Sequence, residues 1–397
     1  MEAGSGERVE AGAAHAPLTG LTVVEIGHSV AAPFAGQVLA DLGARVLKVE
    51  NPQRGDDARG WGPPFWQGMA TVFQSVNRNK GSSAVDLKNP EQRGKLADFI
   101  VNEADIVLQN MRAGLLASLG LDATSLRARN PSLIYCNLSA FGAKGPLAGR
   151  PGYDPLMQAF GGIMSVTGNE GEPPVRVGVS IVDQGAGMWA VIGILAALQR
   201  RNATGLGCEV DTSLYETALS WIGAASAGYQ ATGRTPPRRG SENPSLVPYK
   251  VFQASDGDLV IAAGNDNLFR KLAHALGRPD WMEDERFATN PARVVNRVVV
   301  NEAVQAMVGA RTRAELCALL DEVDVPVAPL QSVDQVLTHP QTQALDMFQQ
   351  APDADMRLMG SPLSFNGQRP AFRSRPPELG SHTQAILGGR PDGANDE

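Results

Sequence analysis

Short β-branched runs recur along the first half of the chain, each separated from the next by a segment with helical spacing. LTVVEI (21–26) is followed by a loop, GHSVAAP, and then by FAGQVLADLG, whose apolar positions share one helical face and which closes on a glycine. ARVLKVE (44–50) reads as the next strand, and SSAVDL (82–87), DIVLQN (105–110) and SLIYCNLS (132–139) continue the series. NPEQRGKLADFIVNEA (89–104) predicts a helix capped by Asn89 with Pro90 in its first turn. An amide oxygen there satisfies free backbone N–H groups, and proline has no N–H to leave unpaired. Strands alternating with helices build a parallel sheet, so the N-terminal half reads as α/β.

Beyond it the pattern changes. From Phe141 to Pro174 the chain is rich in Gly and Pro, with QAFGGIMSVTG as its one helical piece, and reads as a long functional loop system. The run VRVGVSIV (175–182) predicts a strand that ends on Asp183, with a helix over 187–200. A further strand and a helix starting near Thr212 follow. Composition shifts at GRTPPRRGSENPS (233–245), a linker. After it, YKVFQASDGDLVIAAG predicts a hairpin on an Asp-Gly turn. DNLFRKLAHALG, NRVVVNEAVQAMVGA and TRAELCALLDEVD are amphipathic helices, and VPVAPLQS a strand, so this part reads as a small α+β domain.

Composition narrows the class. A length of 397 residues suggests two domains, and 43% hydrophobic with 19% charged residues is ordinary for a globular protein. A net charge of −7 implies no general attraction to nucleic acid or to an anionic membrane. Cys136, Cys208 and Cys317 lie far apart with no CxxC pair, and the five histidines show no metal-ligand spacing, so neither a disulfide framework nor a metal site is expected. No apolar run approaches the roughly 20 residues that span a bilayer. Residues 1–16 are small and polar and read as a disordered tail. Glu2, Glu7 and Glu10 oppose an organelle-targeting reading, so a cytoplasmic location is expected.

Candidate chemistry concentrates at a few points. Asp183, at the head of a glycine-containing segment, is either a helix N-cap or a nucleophile beside backbone N–H groups that would stabilise an oxyanion. Tyr153 and Asp154, in GRPGYDPLMQAFGG, form a second polar point, readable as a turn in which Asp154 bonds its own backbone. The loop GHSVAAP follows the first strand, where parallel sheets bind ligands, yet lacks the GxGxxG of dinucleotide sites. Arg54, Arg59, Lys80, Arg112 and Arg150 sit in or near loops. Scattered loop cations are usually solvated, but several converging on one crevice would suit phosphates or a substrate carboxylate.

Taken in order, LTVVEIGHSVAAPFAGQVLADLGARVLKVENP, SVNRNKGSSAVDLKNPEQ, ADIVLQNMRAG, GYDPLMQAFGGIMSVTG, GVSIVDQGAGMWAVIGILAAL and ELGSHTQAIL resemble the class III CoA-transferases, the family of formyl-CoA and carnitine CoA-transferases, over residues 17–388. The resemblance implies a Rossmann-like large domain and a small α+β domain in an interlocked homodimer. It divides the chain into a large-domain part (17–232), a linker and small domain (233–324) and a return to the large domain (325–397). It implies Asp183 as the catalytic nucleophile, passing through an aspartyl anhydride and an aspartyl-CoA thioester. It places CoA, a co-substrate, against His28, Val30, Ala31, Val85, Lys88, Asn110, Met111, Arg112, Tyr153 and Asp154, with no permanently bound cofactor and no metal. Where formyl-CoA transferase carries two arginines, this chain has Asn51 and Ser118, and Arg54 and Arg112 stand nearby as substitutes.

The same superfamily contains 2-methylacyl-CoA racemases, which place a histidine where this chain has Tyr153. A phenol yields its proton too reluctantly near neutral pH to act as a shuttle, which favours transfer over racemisation. A non-catalytic CoA-ester-binding homologue is the third reading, and the retained Asp183 speaks against it. RGWGPPF, SVNRNKGS, GSENPSLVPYKVF and VIAAGNDNLF resemble the succinate–hydroxymethylglutarate subgroup, implying a dicarboxylyl-CoA donor such as succinyl-CoA. Arg59, Arg176 and Arg239 are then candidates for a second substrate carboxylate.

Overall fold

The computed structural model describes residues 16–352 and 354–388; the tail expected over 1–16 therefore lies, but for Ala16, outside the described residues. Six strands form one parallel sheet: β1 (Thr22–Ile26), β2 (Arg45–Glu50), β3 (Lys80–Ala84), β4 (Ile106–Gln109), β5 (Ile134–Ser139) and β6 (Glu209–Ser213). Their order is β3-β2-β1-β4-β5-β6. Two half-sheets thus run outward from β1 and β4, the doubly wound order of dinucleotide-binding folds. In it the connections part above the carboxyl ends of β1 and β4 and leave a crevice. Of the expected strand SSAVDL, Val85, Asp86 and Leu87 lie past the end of β3, at the rim of that crevice.

Both faces of the sheet are covered, as a parallel sheet requires. On one face Val24, Ile26, Leu47, Val49 and Val107 share a core with Leu96 and Ile100 of α2 (Pro90–Glu103). Asn89 caps this helix, its side chain accepting from the Glu91 and Gln92 N–H groups at 2.9 and 3.3 Å. Helix α1 (Ala31–Asp41), which follows the first loop, packs closely against a second long helix. The short α3 (Asp154–Phe160), the long α4 (Ile181–Thr204) and α5 (Leu214–Trp221) also belong to this part.

Helix α4 departs most from the sequence pattern. It begins six residues earlier than the 187–200 reading, and residues 175–180 form no strand. Val175 and Val179 are exposed and have no sheet neighbour to pack against, so β-branching there does not decide the conformation. By length and composition α4 is, among the described residues, the one helix apolar enough to cross a membrane, and more than half of its most apolar 18-residue stretch is buried within the molecule. Reading run by run missed this because Asp183 and Gln184 interrupt the apolar stretch.

Gly185 and Gly187 lie inside α4. A Cβ at Gly187 would stand 2.8 Å from the Ala31 carbonyl oxygen and 2.8 Å from Phe34 Cδ1 of α1, and one at Gly185 would meet Thr217 and Trp221 of α5 at 2.9 Å. Their small size serves helix packing beside the site. Gly187→Ala is therefore expected to destabilise by about 1–3 kcal/mol in thermal or denaturant unfolding, through overpacking. Helix propensity alone predicts the opposite sign, a gain of about 1 kcal/mol, so a more stable variant would refute the packing argument.

Two compact units emerge. The larger comprises the described residues up to Gly162, Val177–Gly223 and those from Gln341 onward; the smaller comprises Ile163–Arg176 and Ala224–Pro340. In the smaller unit β7 (Tyr249–Ala254), β8 (Gly257–Ala262) and β9 (Val327–Pro329) form an antiparallel sheet in the order β9-β8-β7. Its core contains Phe252, Ile261, Phe269, Leu272, Val304 and Leu316. The hairpin turns at Ser255 and Asp256, since Gly257 already pairs with Ala254. The strand expected at the return to the large domain is β9, so the chain stays in the smaller unit until Pro340, not 324.

Candidate active site

The loop after β1 is held from several sides. The Asn110 side chain, just past β4, accepts from the His28 N–H and donates to the His28 carbonyl, both at 2.9 Å. Ser29 adopts φ 70°, a left-handed conformation uncommon for a residue with a side chain, and Asp56 holds it there by accepting its N–H at 2.9 Å. His28 Nδ1 lies 2.9 Å from Ser29 Oγ.

Under this loop lies a buried charge network that sequence reading did not anticipate. Lys48 Nζ pairs with Glu25 and Asp56 at 2.8 Å each and donates to the Gly27 carbonyl at 2.7 Å. Lys80 pairs with the other Glu25 oxygen at 2.8 Å and donates to the Pro33 carbonyl at 2.7 Å. Glu50 accepts from both Arg59 and Ser82. Burial opposes the charge on Lys48, but Glu25, Asp56 and Glu50 outweigh it and hold the ammonium above its ordinary value. For Lys80 burial wins, and the pKa falls to about 8. Lys80, a candidate phosphate ligand by sequence, therefore faces the protein interior.

Above the crevice a cavity of about 690 Å³ is lined by His28, Ala31, Asn110, Met111, Arg112, Tyr153 and Asp183. A second cavity, of about 280 Å³, shares His28 and Met111 and adds Arg54, Val85 and Lys88. The carboxyl ends of β1, β2, β3 and β4 thus gather most of the residues expected to contact CoA. Val30 is buried at the start of α1 and lines neither cavity, and nor does Asp154. Asn51 shapes a turn, its side chain accepting from the Gln53 and Arg54 N–H groups at 2.9 and 3.2 Å.

Asp183 occupies the first turn of α4 and is 8% exposed. Among the described residues nothing donates a hydrogen bond to its carboxylate. Burial, and then the charge of Asp154, push its pKa up to about 7. Asp183 is not the N-cap. Asp154 takes that role from another helix: one of its oxygens accepts from the Val182 and Asp183 N–H groups at 2.7 and 3.1 Å, and the other from Gln158 Nε2 at 2.6 Å. The Ile181 and Gln184 N–H groups bond to the Val179 and Ser180 carbonyls. The donors expected to stabilise an oxyanion at this helix start are thus already engaged, and the turn expected at Asp154 is a contact reaching 28 residues ahead.

The arginines separate by partner. Arg59 forms a two-pronged pair with Glu50 at 2.7 and 2.8 Å and stacks on Phe73, 4.0 Å from the ring centroid. Arg112 and Arg150 line the Asp183 cavity and form no ion pair among the described residues. Arg176 and Arg239 belong to the smaller unit.

Known proteins of the same kind give the comparison. Residues 18–383 match the family model described as CoA-transferase family III. The chain is 37% identical over 380 residues to a succinate–glutarate CoA-transferase of Agrobacterium fabrum, covering 94% of this chain and 95% of that protein. It is 36% identical over 372 residues to an acetyl-CoA:oxalate CoA-transferase of Acetobacter aceti, covering 93% and 95%. In three dimensions it resembles a CAIB/BAIF family protein from Brucella suis with a TM-score of 0.84 and 39% identity, over 94% of this chain and 99% of that one.

Proposed function

The chain belongs to CoA-transferase family III, and from that premise we propose that it moves CoA from succinyl-CoA or a related dicarboxylyl-CoA to a carboxylic acid, with Asp183 as the nucleophile. One observation carries the assignment of Asp183: a buried carboxylate without a hydrogen-bond partner among the described residues lines a cavity at the carboxyl end of a parallel sheet.

The Asp183 carboxylate attacks the acyl carbonyl, the C–S bond breaks, and a mixed anhydride and CoA thiolate result. The thiolate then attacks the aspartyl carbonyl and expels the donor acid, leaving an aspartyl-CoA thioester. The acceptor carboxylate attacks that thioester, the thiolate leaves, and a second anhydride forms. Attack of the thiolate on the acceptor's acyl carbonyl releases the new acyl-CoA and restores Asp183. No net proton transfer is required. A carboxylate freed of solvent and of hydrogen bonds is more basic and more nucleophilic than one in water, consistent with its raised pKa.

CoA is assigned to the two adjoining cavities, against His28, Ala31, Val85, Lys88, Asn110, Met111, Arg112 and Tyr153, and not against the buried Val30 and Asp154. Their shared lining at His28 and Met111 supports one extended ligand across both. Succinate, glutarate and oxalate in the relatives' names support a dicarboxylate substrate. Transfer is favoured over racemisation because Tyr153 stands at the acid/base position. Met188, Trp189, Ile192 and Leu195 leave an exposed apolar strip on α4, which supports a homodimer, interlocked as the family resemblance implies. The cytoplasmic location rests on Glu2, Glu7 and Glu10 of the sequence.

Succinyl-CoA offered with a panel of mono- and dicarboxylic acids, read by mass spectrometry, tests the reading. New acyl-CoA species are expected with C2–C6 dicarboxylates. Turnover limited to monocarboxylates would remove the dicarboxylate assignment. α-Proton exchange into a 2-methylacyl-CoA from deuterated water, without any acceptor acid, would point to racemisation instead.

A further inference from the structure

We propose that Asp154 is a positioning residue for the transfer reaction, fixing the backbone of the nucleophile-bearing turn and not contacting CoA. The proposal rests on the reading of Asp183 as nucleophile. Asp154 is 2% exposed and lines neither cavity. Its two oxygens meet three donors. Oδ2 accepts from the Val182 N–H at 2.7 Å and the Asp183 N–H at 3.1 Å, and Oδ1 accepts from Gln158 Nε2 at 2.6 Å.

Gln158 is itself fixed. It is fully buried, and its Oε1 accepts from the Val177 N–H at 2.8 Å, so its amide cannot turn over without losing that bond. Only a group with acceptors on both sides fits between Gln158 and the start of α4. A carboxylate does; an amide would set its NH2 against the NH2 of Gln158. The segment entering α4 is thereby tied through Val177, Gln158 and Asp154 to the N–H of Asp183 itself. At the N-cap position Ser180 makes no side-chain capping bond, so Asp154 is the side chain that caps this helix. The chemistry needs Asp183 held at a defined distance from a bound thioester, and misplacement of a reacting group by about 1 Å costs on the order of 100-fold in rate.

The test uses Asp154→Asn, Gln158→Glu and the double variant, with three readouts: kcat, KM for succinyl-CoA, and amide hydrogen exchange over residues 180–187. Asp154→Asn sets donor against donor, and Gln158→Glu sets carboxylate against carboxylate. Each is expected to lower kcat by roughly 10- to 100-fold with little change in KM, and to speed exchange at Val182 and Asp183. The double variant restores the bonds to Val182, Asp183 and the Val177 N–H with the two groups exchanged, and gives up only the long 3.5 Å bond from Gln158 Nε2 to the Val177 carbonyl. The amide oxygen now at position 154 would cap α4, and its NH2 would donate to the carboxylate now at position 158. The second oxygen of that carboxylate would accept from the Val177 N–H. Recovery of kcat and of exchange protection together is expected. A raised KM with unchanged exchange would make Asp154 a CoA contact and overturn the proposal, as would a double variant no better than the worse single. If Asp183→Asn retained full activity the nucleophile reading would fail, while the exchange measurements would still report whether Asp154 caps α4.

Discussion

Replacing Asp183 by asparagine is expected to abolish CoA transfer, with at least about 10⁴-fold loss of kcat, and to leave a folded protein that is more stable than the parent at pH 8. The two effects share one cause. The side chain is buried, accepts no hydrogen bond among the described residues, and sits near the Asp154 charge, so its ionised form is disfavoured and its pKa rises to about 7. Unfolded, the same carboxyl titrates near 4. Between roughly pH 4 and 7 the folded chain therefore holds a proton that the unfolded chain has released, and stability falls as pH rises through that window. An amide has no charge to bury. Asp183→Asn is expected to remove this slope and to gain on the order of 2–4 kcal/mol at pH 8, with no gain below about pH 4. Denaturant unfolding of both proteins across pH 4–8 measures it, and parallel curves would show that Asp183 is not the strained group. The parent's activity is expected to rise with pH through about 7, as the nucleophile ionises. Hydroxylamine added during turnover should convert Asp183 to a hydroxamate, detectable as a mass shift on its peptide and absent from the variant.

Much of the fold is legible in the sequence because its signals are local. The strands at 21–26, 44–50, 105–110 and 132–139 each carry a short, mostly apolar run, and Asn89–Pro90 marks a helix start with side-chain chemistry that needs no distant partner. The site resisted in proportion to the distance of its partners. Asp183 is visible as an acid beside glycines, but the group that caps its helix lies 29 residues earlier, so the sequence admitted a cap at Asp183 itself. The glycines beside it are visible too, but that they fit against α1 and α5 is revealed only by the packing of three helices. One signal was available: Glu25, Lys48 and Glu50 interrupt strands that are otherwise apolar, in VVEI and VLKVE. Charges at core positions of a central strand must find partners, and three in two adjacent strands announce a buried network.

That network is where the largest loss of stability is expected. Lys48 is wholly buried, and its ammonium spends all three protons, on Glu25, Asp56 and the Gly27 carbonyl. Lys48→Met preserves the aliphatic stem and removes the charge, leaving Asp56 without its cation and Glu25 with Lys80 alone. Breaking one side of a buried pair costs about 3–5 kcal/mol, far more than an exposed pair such as Arg129–Asp98, where alanine should cost under about 1 kcal/mol. The pH dependence gives a second check. Burial alone would raise the pKa of Asp56, but Lys48 and its hydrogen bonds outweigh that and hold it below its ordinary value. A lowered carboxyl pKa contributes stability that is complete above about pH 4 and lost as pH falls through the folded value. The gap between parent and Lys48→Met should therefore be full at pH 7 and narrow once the solution is acidified below about 4; a constant gap would assign the loss to packing. Function should follow, because Asp56 also holds the left-handed Ser29 through its N–H, and Ser29 is the neighbour of His28 at the junction of the two cavities. With Asp56 uncompensated that loop loses its anchor, and KM for the acyl-CoA is expected to rise more than kcat falls. That pattern is the reverse of the one expected at Asp154, and the contrast distinguishes a residue that shapes the binding crevice from one that aims the nucleophile.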